Sequence, residues 1–262
     1  MKYVIVSGAT GGIGSEFCKN QVLQGENVIA IGRSQDKLNK LKSDLLSLNS
    51  SARVLTFTCD LSNHDDRLKL FSDIKDAKVE IKRLINVAGV DTQMAFERYT
   101  QDKILFQTRV NFESVVSLTK FCLELNSDDL EILTVSSSCG LTSMPYFALY
   151  SATKCALINF FDALRYEYKK TKIKITTLTP GSVPTRLDII EDIKKQGLTG
   201  KLSSKPPEYV VGKGLKALSH KKRRCIPGLY NKLVCFLAKI TPYGVQAKII
   251  SRKFSTKQKD AF

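Results

Sequence analysis

The stretch Glu131–Ala156, EILTVSSSCGLTSMPYFALYSATKCA, gathers the side chains best suited to acid–base chemistry on a small molecule. An apolar run, Ile132 to Val135, suits a buried strand; it passes through Ser136, Ser137 and Ser138 into a helical pattern carrying Tyr150 and Lys154. Tyr and Lys four residues apart lie on one helix face. A phenol acts as a general acid near neutral pH only if its anion is stabilised, and an ammonium one turn away does that electrostatically. A serine hydroxyl at the neighbouring strand end can hold a substrate carbonyl. The Tyr-x-x-x-Lys spacing also starts at Tyr99, Tyr166, Tyr168 and Tyr209, so context must select among them. Only Tyr150 has a serine, Ser137, thirteen residues upstream at the end of an apolar run, and only its segment, Tyr-Ser-Ala-Thr-Lys, is small enough to admit substrate and cofactor together.

Such side chains need elements that bring a cofactor to them. Lys2 to Ser7 reads as a short apolar strand, followed by Gly8-Ala9-Thr10-Gly11-Gly12-Ile13-Gly14 and a helical stretch to about Leu23. In that arrangement glycines let a pyrophosphate sit on a helix N-terminus, the bland alternative being a tight glycine turn. A second strand, Asn27 to Ile31, ends in Gly32-Arg33-Ser34, ahead of an amphipathic helix marked by Leu38, Leu41, Leu45 and Leu48. No acidic residue stands at that strand end to accept from ribose hydroxyls. Arg33 can instead pair with a 2′-phosphate, which favours NADP(H) while leaving NAD(H) open; a merely solvent-exposed arginine is the alternative. Val54 to Thr58 is a third strand closed by Cys59-Asp60-Leu61, where Asp60 either accepts from an adenine amino group or caps the next helix. Leu84 to Val87 runs into Ala88 and Gly89, small enough for close approach to a ribose. A long helix is expected around Leu105 to Leu125 with Asn111 inside it, where asparagine either bonds to backbone and bends the helix or faces a polar site. Strands alternating with helices call for a parallel, doubly wound α/β sheet.

The chain has 262 residues and is 43% hydrophobic, enough for one α/β domain with a sizeable core. The sequence starts directly in a strand and holds no apolar run long enough to span a bilayer, so a cytoplasmic protein is expected. Seven cysteines, an odd number without a C-x-x-C pair, argue against a disulfide framework and a zinc site; no metal is expected. The net charge of +16 is uneven: residues 1–193 carry 24 Lys and Arg against 23 Asp and Glu, residues 194–262 carry 17 against 2. That imbalance suits an anionic partner, an acidic carrier or a membrane surface, with solvated lysines as the bland reading. Nucleic acid is not expected, since no recognition module is present.

Ser7-Gly8-x-x-x-Gly12-Ile13-Gly14, Asp60, Asn86-Val87-Ala88-Gly89, Asn111, Ser137, Tyr150-x-x-x-Lys154 and Pro180-Gly181, in this order, resemble the short-chain dehydrogenase/reductase family over roughly residues 2–190. Two departures stand out: Ser7 for the usual Thr, which keeps a hydroxyl, and Val87 for the usual Asn. The resemblance implies a Rossmann fold and a carbonyl reductase or alcohol dehydrogenase. Tyr150 would be its general acid or base, Lys154 would lower the Tyr150 pKa and bind the nicotinamide ribose, Ser137 would polarise the carbonyl, and Asn111 would hold a relay water. It further implies cofactor contacts from Gly8, Thr10, Gly11, Gly12, Ile13, Gly14, Arg33, Asp60, Leu61, Asn86, Ala88, Gly89, Pro180, Gly181, Val183 and Thr185, and a homo-dimer or tetramer.

Residues 1–200 are expected to form the core, with a substrate lid at about 185–200 whose Leu187, Ile189, Ile190, Ile193 and Leu198 suit an apolar wall. Residues 201–262 would add basic, amphipathic helices. One starts at Pro206-Pro207-Glu208; another carries Leu229, Leu233, Phe236, Leu237 and Ile240; a third carries Val245, Ile249, Ile250 and Phe254. Such segments either lie in an anionic membrane interface or pack on the protein with a basic outer face. The function expected is NADPH-dependent reduction of an apolar, acyl or lipid-like ketone, a catalytically silent NADP-binding scaffold being the alternative.

Overall fold

The computed structural model describes residues 1–126 and 128–255; the end of the expected C-terminal segment, 256–262, lies outside them. Its strands are β1 (Lys2–Ser7), β2 (Asn27–Gly32), β3 (Val54–Thr58), β4 (Glu80–Asn86), β5 (Glu131–Val135), β6 (Lys174–Leu178) and β7 (Arg224–Cys225). The helices are α1 (Gly12–Leu23), α2 (Gln35–Leu48), α3 (His64–Asp76), α4 (Gln101–Thr108), α5 (Ser114–Leu125), α6 (Ala148–Glu167), α7 (Leu187–Lys195), α8 (Gly197–Ser203), α9 (Pro207–Ser219), α10 (Leu229–Ile240) and α11 (Tyr243–Phe254). All seven strands pair in parallel, in the order β3-β2-β1-β4-β5-β6-β7. The chain runs outwards from β1 to β3, then returns past β1 to β4. That reversal opens a crevice at the carboxyl ends of β1 and β4, the usual ligand position in such sheets.

A parallel sheet is covered on both faces, so its strands are continuous apolar runs whose alternate residues enter different cores. Tyr3 and Ile5 join one core with Leu118 and Phe121 of α5 and Leu157 and Phe161 of α6. Val4 and Val6 join the other with Phe17 of α1, Leu38 of α2 and Val210 and Val211 of α9. The first helix past the lid therefore completes the main core and is no appendage. β7 was not foreseen. Cys225 pairs with Leu178, and Arg224 reaches Asp162 on α6 at 2.7 Å, so part of the basic run before α10 is spent inside the fold.

Three helix starts follow ordinary side-chain capping chemistry. Ser34 Oγ accepts from Lys37 N, Asn63 Oδ1 from Asp65 N and Asp66 N, and Thr100 Oγ1 from Lys103 N. Asp60 does not cap α3, because Asn63 does. The Asp60 carboxylate accepts instead from the backbone and hydroxyl of Ser62 at 2.9 and 2.8 Å. The helix expected over Leu105 to Leu125 is interrupted: Arg109–Glu113 form a π turn between α4 and α5. Asn111 lies in that turn with its side chain on the Val90 backbone, which gives the widened turn a cause.

At the opposite end of the sheet from the crevice, Glu131 on β5 accepts from Arg83 Nε at 2.8 Å and from Lys174 Nζ at 2.7 Å. Burial by itself would raise the Glu131 carboxyl, but the two cations outweigh it and hold the pKa below its ordinary value. A group depressed on folding stabilises above its unfolded pKa, and that contribution is lost as pH falls through the folded one. Glu131→Gln is therefore expected to cost about 2 kcal/mol at neutral pH, with the gap to the parent closing in acid. Urea unfolding at several pH values checks it, and a constant gap would remove the assigned role.

Candidate active site

Glycines crowd the exit of β1 because backbone must approach backbone there. Gly8 has φ +66°, and a Cβ on it would lie 2.8 Å from the Ala88 backbone; one on Gly14 would lie 2.1 Å from Gly8 O. Ser7 Oγ accepts from Val87 N at 3.2 Å and Ala88 N at 3.4 Å, which ties the ends of β1 and β4. Gly11 is the N-cap of α1, and no side chain caps that helix. Its first-turn N–H groups and dipole are thus free for an anion, and no Cβ at Gly11 or Gly12 shields them. Thr10 lies against Gly32 at the end of β2, and Ile13 packs on the core. These residues fit a dinucleotide pyrophosphate.

Arg33, beside that turn, is exposed, with its guanidinium 5.6 Å from the Phe106 ring centroid. Asp60 stands half-buried at the β3 exit, whereas Leu61 is in the core and offers its carbonyl to Arg67 at 2.7 Å. Asn86 is also in the core: its amide donates to Thr119 Oγ1 and Thr134 Oγ1 at 3.3 and 3.2 Å, fastening β4 to α5 and β5.

Ser137, Tyr150 and Lys154 do come together. Ser137 ends the β5 exit, stands close enough to the Tyr150 hydroxyl to act on its proton and accepts from Cys139 N at 3.1 Å. Phe147 stacks on the Tyr150 ring with centroids 4.4 Å apart. One turn along α6, Lys154 is 3% exposed and donates to Val135 O at 3.2 Å. Its Nζ lies 5.7 Å from the Tyr150 ring centroid and would be 3.0 Å from a Cβ on Gly89. Ser136 Oγ, donating to Lys154 O at 2.8 Å, and Gly140, whose Cβ would come 2.7 Å from the Lys154 carbonyl carbon, hold α6 hard against the β5 exit. Burial pushes the Tyr150 hydroxyl well above an ordinary phenol, and the nearby Cys139 and Asp91 push the same way. Burial lowers Lys154 to about 8, with the Asp91 carboxylate opposing that fall. Asn111 is fully engaged: Oδ1 accepts from Val90 N at 2.8 Å, and Nδ2 donates to Val90 O at 2.9 Å and Thr153 Oγ1 at 3.2 Å. It pins the turn after Gly89 against α6. The whole can shuttle a proton between the Tyr150 hydroxyl and an oxygen held by Ser137.

Pro180 O accepts from Ser138 N at 2.9 Å, joining the β5 and β6 exits, and Val183 is buried. A Cβ on Gly12 would meet the Thr185 Cβ at 2.5 Å, so Thr185 lies directly over the glycine turn. The segment expected to form a substrate lid is helical, as α7 and α8. Ile189, Ile190 and Ile193 are half-buried, but Leu187 and Leu198 are 80% and 73% exposed. Three residues escaped the sequence reading. Arg186, at the start of α7, pairs with Asp91 at 2.8 Å and clamps α7 to the loop after β4. Asn231 of α10 donates to Ser203 O and Pro227 O, both at 2.9 Å, and abuts Gly181. Neither contact carries a sequence signal, because the partners are close only in the folded chain. A cleft of about 440 Å³ adjoins the segment leading into Tyr150, walled by Met94, Phe96, Tyr99, Pro145, Tyr146 and Lys248.

A family model described as short chain dehydrogenase matches residues 2–194. The mouse dehydrogenase/reductase SDR family member 11 (Mus musculus) is 30% identical over 194 residues, 71% of this chain and 74% of that one. An Anopheles gambiae dehydrogenase/reductase SDR family protein 7-like is 28% identical over 193 residues, 72% of this chain, and the match spans 61% of that protein's length. Among solved structures, a 7beta-hydroxysteroid dehydrogenase superimposes with a TM-score of 0.87 at 20% identity, covering 95% of this chain and 96% of the other. At that identity the likeness is one of fold.

Lys154 is expected to titrate at about 8 in the cofactor-free protein, followed by NMR of isotope-labelled lysine side chains. Asp91→Asn should move the titration lower, since the carboxylate favours the ammonium; an ordinary lysine pKa would contradict the geometry. A lysine depressed on folding costs stability below about 8, and that cost fades as pH rises towards 10.5. Lys154→Met is accordingly expected to unfold about 1–2 kcal/mol later at neutral pH, measured by urea titration.

Proposed function

The chain belongs to the short-chain dehydrogenases, oxidoreductases acting on CH–OH and C=O groups, and on that premise we propose that it reduces an apolar ketone with NADPH. The observation that carries this is the neighbouring Ser137 and Tyr150 hydroxyls with the buried Lys154 one helical turn away. A scaffold that only bound dinucleotide would have no use for an ammonium buried beside a phenol.

A bound nicotinamide cofactor supplies the hydride. Gly8, Gly11, Gly12 and the uncapped start of α1 would hold its pyrophosphate. Gly89, Ala88, Pro180, Gly181, Val183 and Thr185 would border its nicotinamide half. Arg33, exposed at the end of β2 where no carboxylate stands, pairs with a 2′-phosphate, which is the reason for preferring NADP(H) over NAD(H). Phe106 under its guanidinium limits where that charge can go.

Ser137 donates to the ketone oxygen and Tyr150 gives it a proton as charge builds there. Desolvation alone makes that proton hard to lose, so the tyrosinate left behind needs a counter-charge. Lys154 provides it, being mostly protonated at neutral pH with a pKa of about 8. Asn111, with its side chain occupied, serves the proton path by holding Val90 and Thr153 in place. The apolar substrate follows from Met94, Phe96, Tyr99 and Pro145 in the cleft beside the Tyr150 segment. Arg186 on Asp91 ties the start of α7 to the loop after β4.

The test is oxidation of NADPH and of NADH across acyl thioesters, steroids and small diketones. NADPH turnover that falls at least about a thousandfold in Tyr150→Phe is expected. Arg33→Ala should raise KM for NADPH about tenfold and leave KM for NADH unchanged. Binding of NADPH without reduction of any ketone would favour the silent scaffold; a preference for NADH would remove the role of Arg33.

A further inference from the structure

α10 is built inside out. It buries only Asn231 and Cys235, four residues apart on one stripe. Helical spacing puts Leu229, Leu233, Phe236, Leu237 and Ile240 on the opposite arc, where they are 82%, 55%, 59%, 46% and 65% exposed. Lys232 and Lys239, seven residues apart, share one flank of that arc. α11 adds a second such arc: Val245 and Ile249 are exposed, with Lys248 and Arg252 exposed beside them. The stripe does not fold back on the protein, because both helices are fastened. Gln246 Nε2 donates to Ala238 O at 2.6 Å and Thr241 O at 2.5 Å, and Asn231 ties α10 to the end of the lid.

The charge says what can cover it. Residues 194–262 hold 17 Lys and Arg against 2 Asp and Glu, so a second copy meeting this face through a two-fold axis would set cations against cations. An acidic carrier protein would meet the cations and leave a row of large aliphatic side chains to be matched separately. An anionic bilayer meets both, with the apolar stripe at the acyl boundary and the cations among the headgroups. No described helix is long and apolar enough to cross a membrane, so the helices would lie in its plane. We propose that α10 and α11 form one docking face that seats this protein on an anionic lipid surface.

The full chain is sedimented with phosphatidylcholine vesicles, with and without phosphatidylserine. Binding only to the phosphatidylserine vesicles, weakened by salt, is expected. Phe236→Asp with Leu237→Asp, and separately Lys232→Glu with Lys239→Glu, should each lower partitioning at least about tenfold. Lys120→Glu, the same kind of charge reversal made once on α5, should leave it unaltered. No association with anionic vesicles overturns the proposal, and so does equal sensitivity to Lys120→Glu, which would mean diffuse charge alone. A dimer in sedimentation equilibrium that Phe236→Asp dissociates would assign the face to a second copy instead. Ketone reduction in solution is read separately, so either idea can fail without the other.

Discussion

An ammonium kept almost out of water, Lys154, is the constraint around which the carboxyl end of the sheet is arranged. Removing such a group from solvent is costly, and it tends to shed its proton unless neighbours favour the charge. Val135 gives a carbonyl, Asp91 gives a negative charge at longer range, and the missing side chain of Gly89 leaves room above. Gly140 lets the turn after β5 touch α6 closely enough for Ser136 to reach the Lys154 carbonyl. Take any of these away and the amine either moves or goes neutral, and the phenol beside it has no counter-charge.

The same region depends on an omission. Ser34, Asn63 and Thr100 cap their helices with a side chain, while α1 begins with bare glycine backbone at the crevice between β1 and β4. The sheet's reversal of direction puts that unsatisfied helix end, the Gly89 turn and the β5 exit at one edge. Local chemistry and topology thus agree on where a ligand goes, and each side chain needs only a short reach.

Much of this was legible in the chain. Strands buried on both faces announce themselves as apolar runs, and Ser137, Tyr150 and Lys154 lie within one short segment, so local spacing sufficed. What escaped was non-local or depended on degree. Nothing near Arg186 names Asp91 as its partner across 95 residues. The two-residue β7 is too short for any periodicity and forms because β6 offers an open edge. Asn111 was flagged as an awkward helix residue, but only the position of Val90 decides that the helix widens there. In α10 the apolar period was plain, yet period alone cannot tell which side of a helix faces inward. The pair Asn231 and Cys235 decided that, against hydrophobicity.

Gly12 carries two obligations that come from different parts of the molecule. It begins α1 at the phosphate turn, and its missing Cβ is also the space taken by the Thr185 side chain at the root of the lid. In a lineage that lost the need for dinucleotide, position 12 would still resist change, because any larger residue would displace the segment leading into α7. The presence of glycine at this position therefore reflects the packing of the segment before α7 as much as the binding of a ligand, and is poor evidence of activity when taken alone.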